Sequence, residues 1–468
     1  MVAPGPLLTA PALLARIDSL ALLTWTTNLI SLLFAFAFGA CVGSLTNVLV
    51  YRLPRGIGVV TPPSACPSCS TRLTWRENVP VLGWIMLRGR CRFCSARISP
   101  EYPIVEAFVG LVFAAMFALW YVLPRVASDV TMLGSPIAPA YTMAGFSQSW
   151  PAFIVLLVLI ASLIAMTIVD AKTFTIPLVL AWVPALLAAV VHPLYGAWCE
   201  RNGVRVQTLE GWSWIIASPG PAGWTLIGGS VGGMAGVVVA NALLYFGLIR
   251  RSFADYEEWE AAEIAKQKAE SGAPAEAPSN GPPDPSDPPV ELWVQYPHAR
   301  REVLKEVIFL APVIGLAYAG AALAHWAAGP WRPSPIDPFQ LVPAVTAPLW
   351  LIALAGVFMG YLIGGGVVWA VRILGALLFG KDAMGLGDVH LLAAVGACLG
   401  WVDAVNAFFL AAFVGLAWAI VGMVSGGRVK RVLPFGPYLA IGSMIALLAK
   451  PALWALFSRI AHMPVRWP

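Results

Sequence analysis

What most constrains this chain is a series of apolar runs of about 18 residues or more, recurring from one end to the other. They fall near residues 30–50, 103–123, 151–169, 177–193, 224–249, 304–326, 345–364 (extending towards 378), 404–424 and 436–458, with a shorter run at 389–400. So many runs cannot all be interior helices of one soluble core. Apolar residues make up 59% of the chain and charged residues only 11%, which is outside the soluble globular range. In lipid a backbone has to satisfy its own hydrogen bonds, so the expected fold is an all-α polytopic membrane protein with about eight to ten spans. The run at 389–400 is too short to cross and is expected to be a half-span or re-entrant helix. The first thirty residues lack a basic front end followed by a small-residue cleavage site, so they do not read as a removable signal peptide. The formal charge of +5 is modest and does not point to nucleic acid.

Charge placement gives an orientation. Between 51 and 102 stand eight arginines (52, 55, 72, 76, 88, 90, 92 and 97) against Glu77 and Glu101, so this loop is expected in the cytoplasm. The chain then divides into an N-terminal segment (1–29), a first transmembrane helix (30–50), the cytoplasmic loop domain (51–102) and transmembrane helices (103–249). A charged, proline-rich cytoplasmic insertion (250–303) and further transmembrane helices (304–468) follow. Within the insertion, Tyr256–Glu270 reads as a charged helix. Ser271–Val290 is a Pro/Ala/Gly/Ser/Asp run too poor in apolar residues to order itself, and is expected to be a tether.

Seven cysteines is an odd number, and the two close pairs among them in the basic loop favour a reducing compartment and a metal over a disulfide framework. Four of them form two C-x-x-C knuckles, Cys66-Pro-Ser-Cys69 and Cys91-Arg-Phe-Cys94, with 21 residues between. Each knuckle turns two thiolates towards one cation, and four thiolates complete a tetrahedral zinc shell with no open position. Arginines nearby are expected to lower the thiol pKa values. Disulfides or free thiols are the other reading, disfavoured by a reducing cytoplasm. Cys41, Cys199 and Cys398 lie in or beside spans and read as packing residues.

The chain has 24 acidic residues, 11 of them between 251 and 305, so those beside spans can be weighed singly. Asp170 closes the run FIVLLVLIASLIAMTIVD. Asp388 ends the turn Met384-Gly-Leu-Gly-Asp388 and another apolar stretch follows at once. Both are expected at cytoplasmic ends of spans, where ionisable groups are costly and face the bundle interior. Two carboxylates brought together cannot both ionise easily: one keeps a proton while the other activates water, the division of labour peptide hydrolysis needs. Gly385 and Gly387 would leave room for a substrate backbone. Taken singly, each aspartate could equally be an interfacial anchor or a helix cap, and Glu106 and Asp403 are left on that reading. Asp382 and Asp403 are expected to matter far less than the pair.

Several stretches resemble one family, in the order in which that family carries them. GSLTNVLVYRLP (43–54), CPSC, WRENVPVLGWIMLRGRCRFC (75–94) and ISPEYPIVE (98–106) are similar to the type IV prepilin leader peptidases. VDAKTFTIP (169–177) resembles their first aspartate motif, GKDAMGLGDVHLLAAVGACLGW (380–401) their G-x-G-D motif, and LPFGPYLAIG (433–442) their closing motif. The resemblance implies a polytopic enzyme of the bacterial inner membrane, with its active site facing the cytoplasm. Such an enzyme removes short basic leaders from prepilins and from pseudopilins of type II secretion. Many members also methylate the new N-terminus with S-adenosylmethionine. Asp170 and Asp388 then match the catalytic aspartates, and Cys66, Cys69, Cys91 and Cys94 the zinc-binding cysteines. Leu178 stands where an acid is frequent, and His390 where a lysine is common. A proton- or cation-coupled transporter would call for interrupted helices in two matching halves, and no internal repeat is evident. A non-enzymatic scaffold would not need both aspartate motifs.

Overall fold

A computed structural model describes residues 10–126, 131–132, 135–136, 138–139, 141–142, 145–203, 216–270, 296–333, 341–380, 382, 384–424 and 434–461. Eight helices among them are long and apolar enough to cross a membrane. The chain falls into two compact units, Met1–Leu180 with Lys430–Trp467, and Ala181–Val429.

In the first unit, α1 (Ala10–Arg52) leads through a short 3₁₀ turn into the Cys-bearing loop, which holds the single-turn α2 (Leu82–Met86). Helix α3 (Glu101–Phe117) continues through a π turn at Ala118–Val122 into α4 (Leu123–Val126). A two-residue hairpin, β1 (Thr131–Met132) and β2 (Ser135–Pro136), precedes α5 (Phe146–Thr173). The closing helices are α13 (Gly436–Leu448) and α14 (Lys450–Ala461). Helices in lipid gain little from hydrophobic burial against one another and associate through close van der Waals packing at small residues. At the α1–α3 contact, a Cβ on Gly39 would lie 2.9 Å from the Gly110 Cα, and one on Gly43 would lie 2.7 Å from the Glu106 Cα. Helix α5 is the most enclosed of these spans, with 72% of an 18-residue apolar stretch buried. At its N-terminal end, Tyr121 bonds Ser149 at 2.9 Å within a cluster with Phe117, Phe146 and Phe153.

The second unit holds α6 (Leu178–Arg201), α7 (Trp224–Tyr245), α8 (Tyr256–Glu270) and α9 (Ala299–Ala327). The hairpin β3 (Arg332–Pro333) and β4 (Leu341–Val342) follows, then α10 (Leu349–Phe379), α11 (Leu386–Leu399) and α12 (Trp401–Val424). Gly228, Gly232 and Gly236 of α7 face α9 so closely that any Cβ would strike its backbone. Helices α10 and α11 meet in the same way at Gly360 and Gly396, and at Gly364 against Leu392. Every residue from Leu391 to Gly400 is buried.

The expected spans recur with two differences, and the run at 345–364 extends as expected, to Phe379. The first helix begins at Ala10 rather than near 30. The run at 436–458 is two short helices broken at Ala449, because Pro451 has no N–H to carry the first helix onwards and is suited to the start of the second. The charged helix expected at 256–270 is α8, and 389–400 is the short α11. The tether expected at Ser271–Val290 lies outside the described residues.

The α10–α11 contact can be tested. A Cβ at Gly360 would overlap the Gly396 carbonyl oxygen, whereas one at Gly366 meets nothing within 4 Å. Gly360→Ala should lower stability in detergent by about 1–3 kcal/mol, as overpacking does, and Gly366→Ala should leave it unchanged. Thermal unfolding of the two variants checks this.

Candidate active-site carboxylates and metal centre

Asp170 sits in the last turn of α5 and is 6% exposed. The helix stops immediately after it. Phe174 takes up a left-handed conformation (φ 54°), its N–H donates to the Asp170 carbonyl at 2.9 Å, and Pro177 prevents any continuation. The carboxylate itself is held from a distant part of the sequence: the N–H of Gly436, first residue of α13, donates to Asp170 Oδ2 at 3.1 Å. The free amides at a helix N-terminus and the positive end of its dipole suit a carboxylate. Gly436 has a steric reason to be glycine, since a Cβ there would lie 2.6 Å from Asp170 Oδ2. Sequence reasoning assigned Gly436 only to a motif; no local pattern shows that it meets Asp170. Lys172, two residues on, pairs with Glu101 at the surface, where about half of each side chain is exposed and such pairs contribute little.

In the second unit, Asp388 lies in the first turn of α11 and is 8% exposed. Its N–H donates to the Gly385 carbonyl at 3.2 Å, and Gly385 is the N-cap in an extended conformation. A Cβ at Gly385 would stand 3.6 Å from Asp388 Oδ2, an ordinary contact distance, so Gly385 lies directly beside the carboxylate. His390 meets Trp182 edge-on, ring centroids 6.4 Å apart. Asp403 is just as buried, so burial alone does not separate the aspartates; their place in the motifs does. Asp382, set aside in the sequence, is ion-paired to the buried Arg372 at 2.7 Å.

The four loop cysteines come together, with all four sulfurs within 4.8 Å of one another, and can hold a metal ion. The knuckles repeat one backbone pattern. Cys66 N–H bonds Thr71 O at 3.0 Å and Ser70 N–H bonds Cys66 O at 2.8 Å; Cys91 N–H bonds Ala96 O at 2.8 Å and Ser95 N–H bonds Cys91 O at 2.9 Å. Ser70 and Ser95 both have φ 56°. Across the knuckles, Cys66–Cys94 and Cys69–Cys91 are 3.8 and 4.0 Å apart, sulfur to sulfur. Tetrahedral thiolates at about 2.3 Å from one ion stand about 3.8 Å apart, so the cluster fits such a shell. The thiol of Cys69 is held down at about 6, first by the Thr71 side chain and then by the Thr71 backbone. Cys91 is lowered by the backbone of Cys94 and of Phe93. The arginines expected to lower these thiols are not among the causes; local hydrogen bonds are, and the Cys94 thiol is raised instead, to about 11.

Glu106, also set aside, has a structural task. Buried on α3, it accepts the Val81 N–H at 2.6 Å, where Val81 is forced to φ 61°, and so fixes the Cys-bearing loop to the helices. Trp84 Nε1 donates to Ile98 O at 3.1 Å within the loop.

Comparison with known proteins matches two stretches. Residues 37–120 match the bacterial peptidase A24 N-terminal domain, and 300–420 the type IV leader peptidase family. Asp388 falls inside the second match; Asp170 lies between the two. The prepilin leader peptidase/N-methyltransferase of Klebsiella pneumoniae is 33% identical over 197 residues, 39% of this chain and 73% of the relative. This chain belongs to the type IV leader peptidase family. The similarly named protein of Myxococcus xanthus is 49% identical over 82 residues, 18% of this chain and 24% of the relative. That of Pectobacterium carotovorum is 30% identical over 205 residues, 38% and 62%. The chain thus spans from about a quarter to nearly three quarters of these relatives. No solved structure matches it. With eight helices among the described residues long and apolar enough to cross a membrane, and this family, it is a multi-pass bacterial membrane protein.

The metal centre generates a direct test. Purified protein should carry about one metal ion per chain. The Cys66→Ser/Cys69→Ser variant should lose it, and chelation should open the 56–100 loop to protease, since so small a domain has little core of its own. Elemental analysis and limited proteolysis measure both.

Proposed function

We propose that the chain is a membrane aspartic endopeptidase that cleaves leader peptides from type IV prepilins and from pseudopilins of type II secretion, with Asp170 and Asp388 as its catalytic pair. The observation that carries this reading is the bond from Gly436 to Asp170. It joins two motifs 266 residues apart at one oxygen of a buried carboxylate, where a purely interfacial aspartate would face water. Asp388, buried at the start of α11 within the family match, supplies the second carboxylate. One aspartate holds a proton and polarises the scissile carbonyl while the other takes a proton from water, which attacks without a covalent intermediate.

The arginine-rich 51–102 loop supports a cytoplasmic active site in the inner membrane. A basic leader would then stay in the cytoplasm while the substrate's apolar helix lies in the bilayer. The ion proposed for Cys66, Cys69, Cys91 and Cys94 is zinc, which four thiolates favour, and the closed shell leaves it a structural role. Methylation of the new N-terminus from S-adenosylmethionine is proposed on the relatives' printed names.

The test is cleavage of a purified prepilin in detergent, with the products weighed by mass spectrometry. Asp170→Asn and Asp388→Asn should each reduce cleavage by on the order of 10²–10⁴-fold, the usual contribution of acid–base groups. Asp403→Asn should cost far less. The wild-type rate should be bell-shaped in pH, both limbs belonging to the pair. Cleavage by either motif mutant at near the wild-type rate would overturn the mechanism.

Gly436→Ala should push the Asp170 carboxylate aside and cut kcat by on the order of tenfold or more, while metal content stays at the wild-type level.

A further inference from the structure

Beneath the turn that carries Asp388 lies a buried charged cluster that the proposed chemistry does not use. Arg372 of α10 and Glu306 of α9 are both 2% exposed, and Arg372 Nε donates to Glu306 Oε1 at 2.8 Å. The other partners of Glu306 are Ser252, donating at 3.1 Å, and Trp369 Nε1, donating to Oε2 at 3.1 Å. Arg372 Nη1 donates to the main-chain carbonyl of Met384 and pairs with Asp382. The guanidinium also lies over the Phe253 ring, 5.2 Å from its centroid.

A buried ion pair is a poor way to gain stability, since an apolar pair of the same volume commonly does as well. What an arginine adds is a rigid fork whose separate N–H groups can hold two partners at a fixed distance. Here one prong is seated on Glu306 and the other on the carbonyl of the first residue of Met384-Gly-Leu-Gly-Asp388. That carbonyl precedes the N-cap Gly385, so its position sets where α11 begins and where the first-turn Asp388 points.

The two ends of the 250–303 insertion complete the support. Tyr296 N–H donates to the carbonyl of Gly380, the C-cap residue of α10, at 2.7 Å. Phe253 N–H donates to Glu302 at 2.7 Å. Phe253, Tyr296, Ala299 and Val303 pack with Ala376 of α10 in one apolar cluster. We infer that Arg372, seated on Glu306 and enclosed by the roots of the insertion, is the positioning residue for the Met384–Asp388 turn. This rests on the reading of Asp388 as catalytic.

The experiment pairs kinetics with backbone exchange in the full-length protein. Arg372→Gln should lower kcat for prepilin cleavage by on the order of 100-fold, the cost of displacing a reacting group by about an ångström. KM should stay within about twofold, because substrate binding is not touched. Arg372→Lys, with one point charge and no fork, should recover part of the rate. Arg372→Gln combined with Glu306→Gln should be no worse than Arg372→Gln alone, as members of one network behave. Amide exchange should quicken in peptides covering 380–388 and stay at the wild-type rate in α7. Should Arg372→Gln fail to accumulate, Trp369→Phe removes only one donor to Glu306 and should act in the same direction, more weakly. Unchanged kcat, or exchange that rises equally through the whole chain, would overturn the inference. If wild-type protein fails to cleave, the peptidase reading falls, and exchange in 380–388 still decides whether Arg372 holds the turn.

Discussion

Almost everything in this molecule follows from the lack of water in a bilayer. A peptide group without a partner costs several kcal/mol there, so the spans are helices, and irregular backbone sits only at their ends or inside protein. The turns after α5 and before α11 are such places, and both carry an aspartate. In each, the backbone is fastened by groups that water would otherwise replace: the Phe174 and Gly436 amides around Asp170, and Arg372 on the Met384 carbonyl before Asp388. Polar groups are few because each has to be matched.

Since lipid offers helices no hydrophobic reason to associate, they associate by fit. Glycines at the α1–α3, α7–α9 and α10–α11 contacts bring backbones to distances that no Cβ would allow. The last of these contacts places the short α11 deep in its unit. A helix of 14 residues cannot cross a bilayer, and that fit helps to hold Asp388 in place. Packing by small residues and placement of the carboxylate are therefore one problem in this unit.

The sequence discloses those features whose cause is local. Apolar runs mark the spans because a span is a property of consecutive residues. The knuckles at Cys66 and Cys91 are legible because each is a four-residue device, and Asp170 and Asp388 stand out because charge at a span end is rare. The break at Ala449 was written in Pro451 but masked by the apolar residues on either side. What stayed hidden depends on residues far apart in the chain. Gly436 looks like any helix-start glycine until its amide is seen against Asp170. Arg372 looks like a stray charge in a span until Glu306, 66 residues away, is placed beside it. The thiol electrostatics stayed hidden as well, because the Cys69 thiol is lowered first by the Thr71 side chain rather than by the arginines.

The bond between Gly436 and Asp170 has a consequence for how such a protein can change. Its donor is a main-chain N–H, which every residue except proline possesses. No replacement other than proline can delete the donor, so the position is otherwise insensitive to the chemistry of its occupant. What it constrains is volume alone. Over long divergence this contact is therefore guarded by shape rather than by functional group, and it stays open to any backbone rearrangement that brings a different amide to the same oxygen.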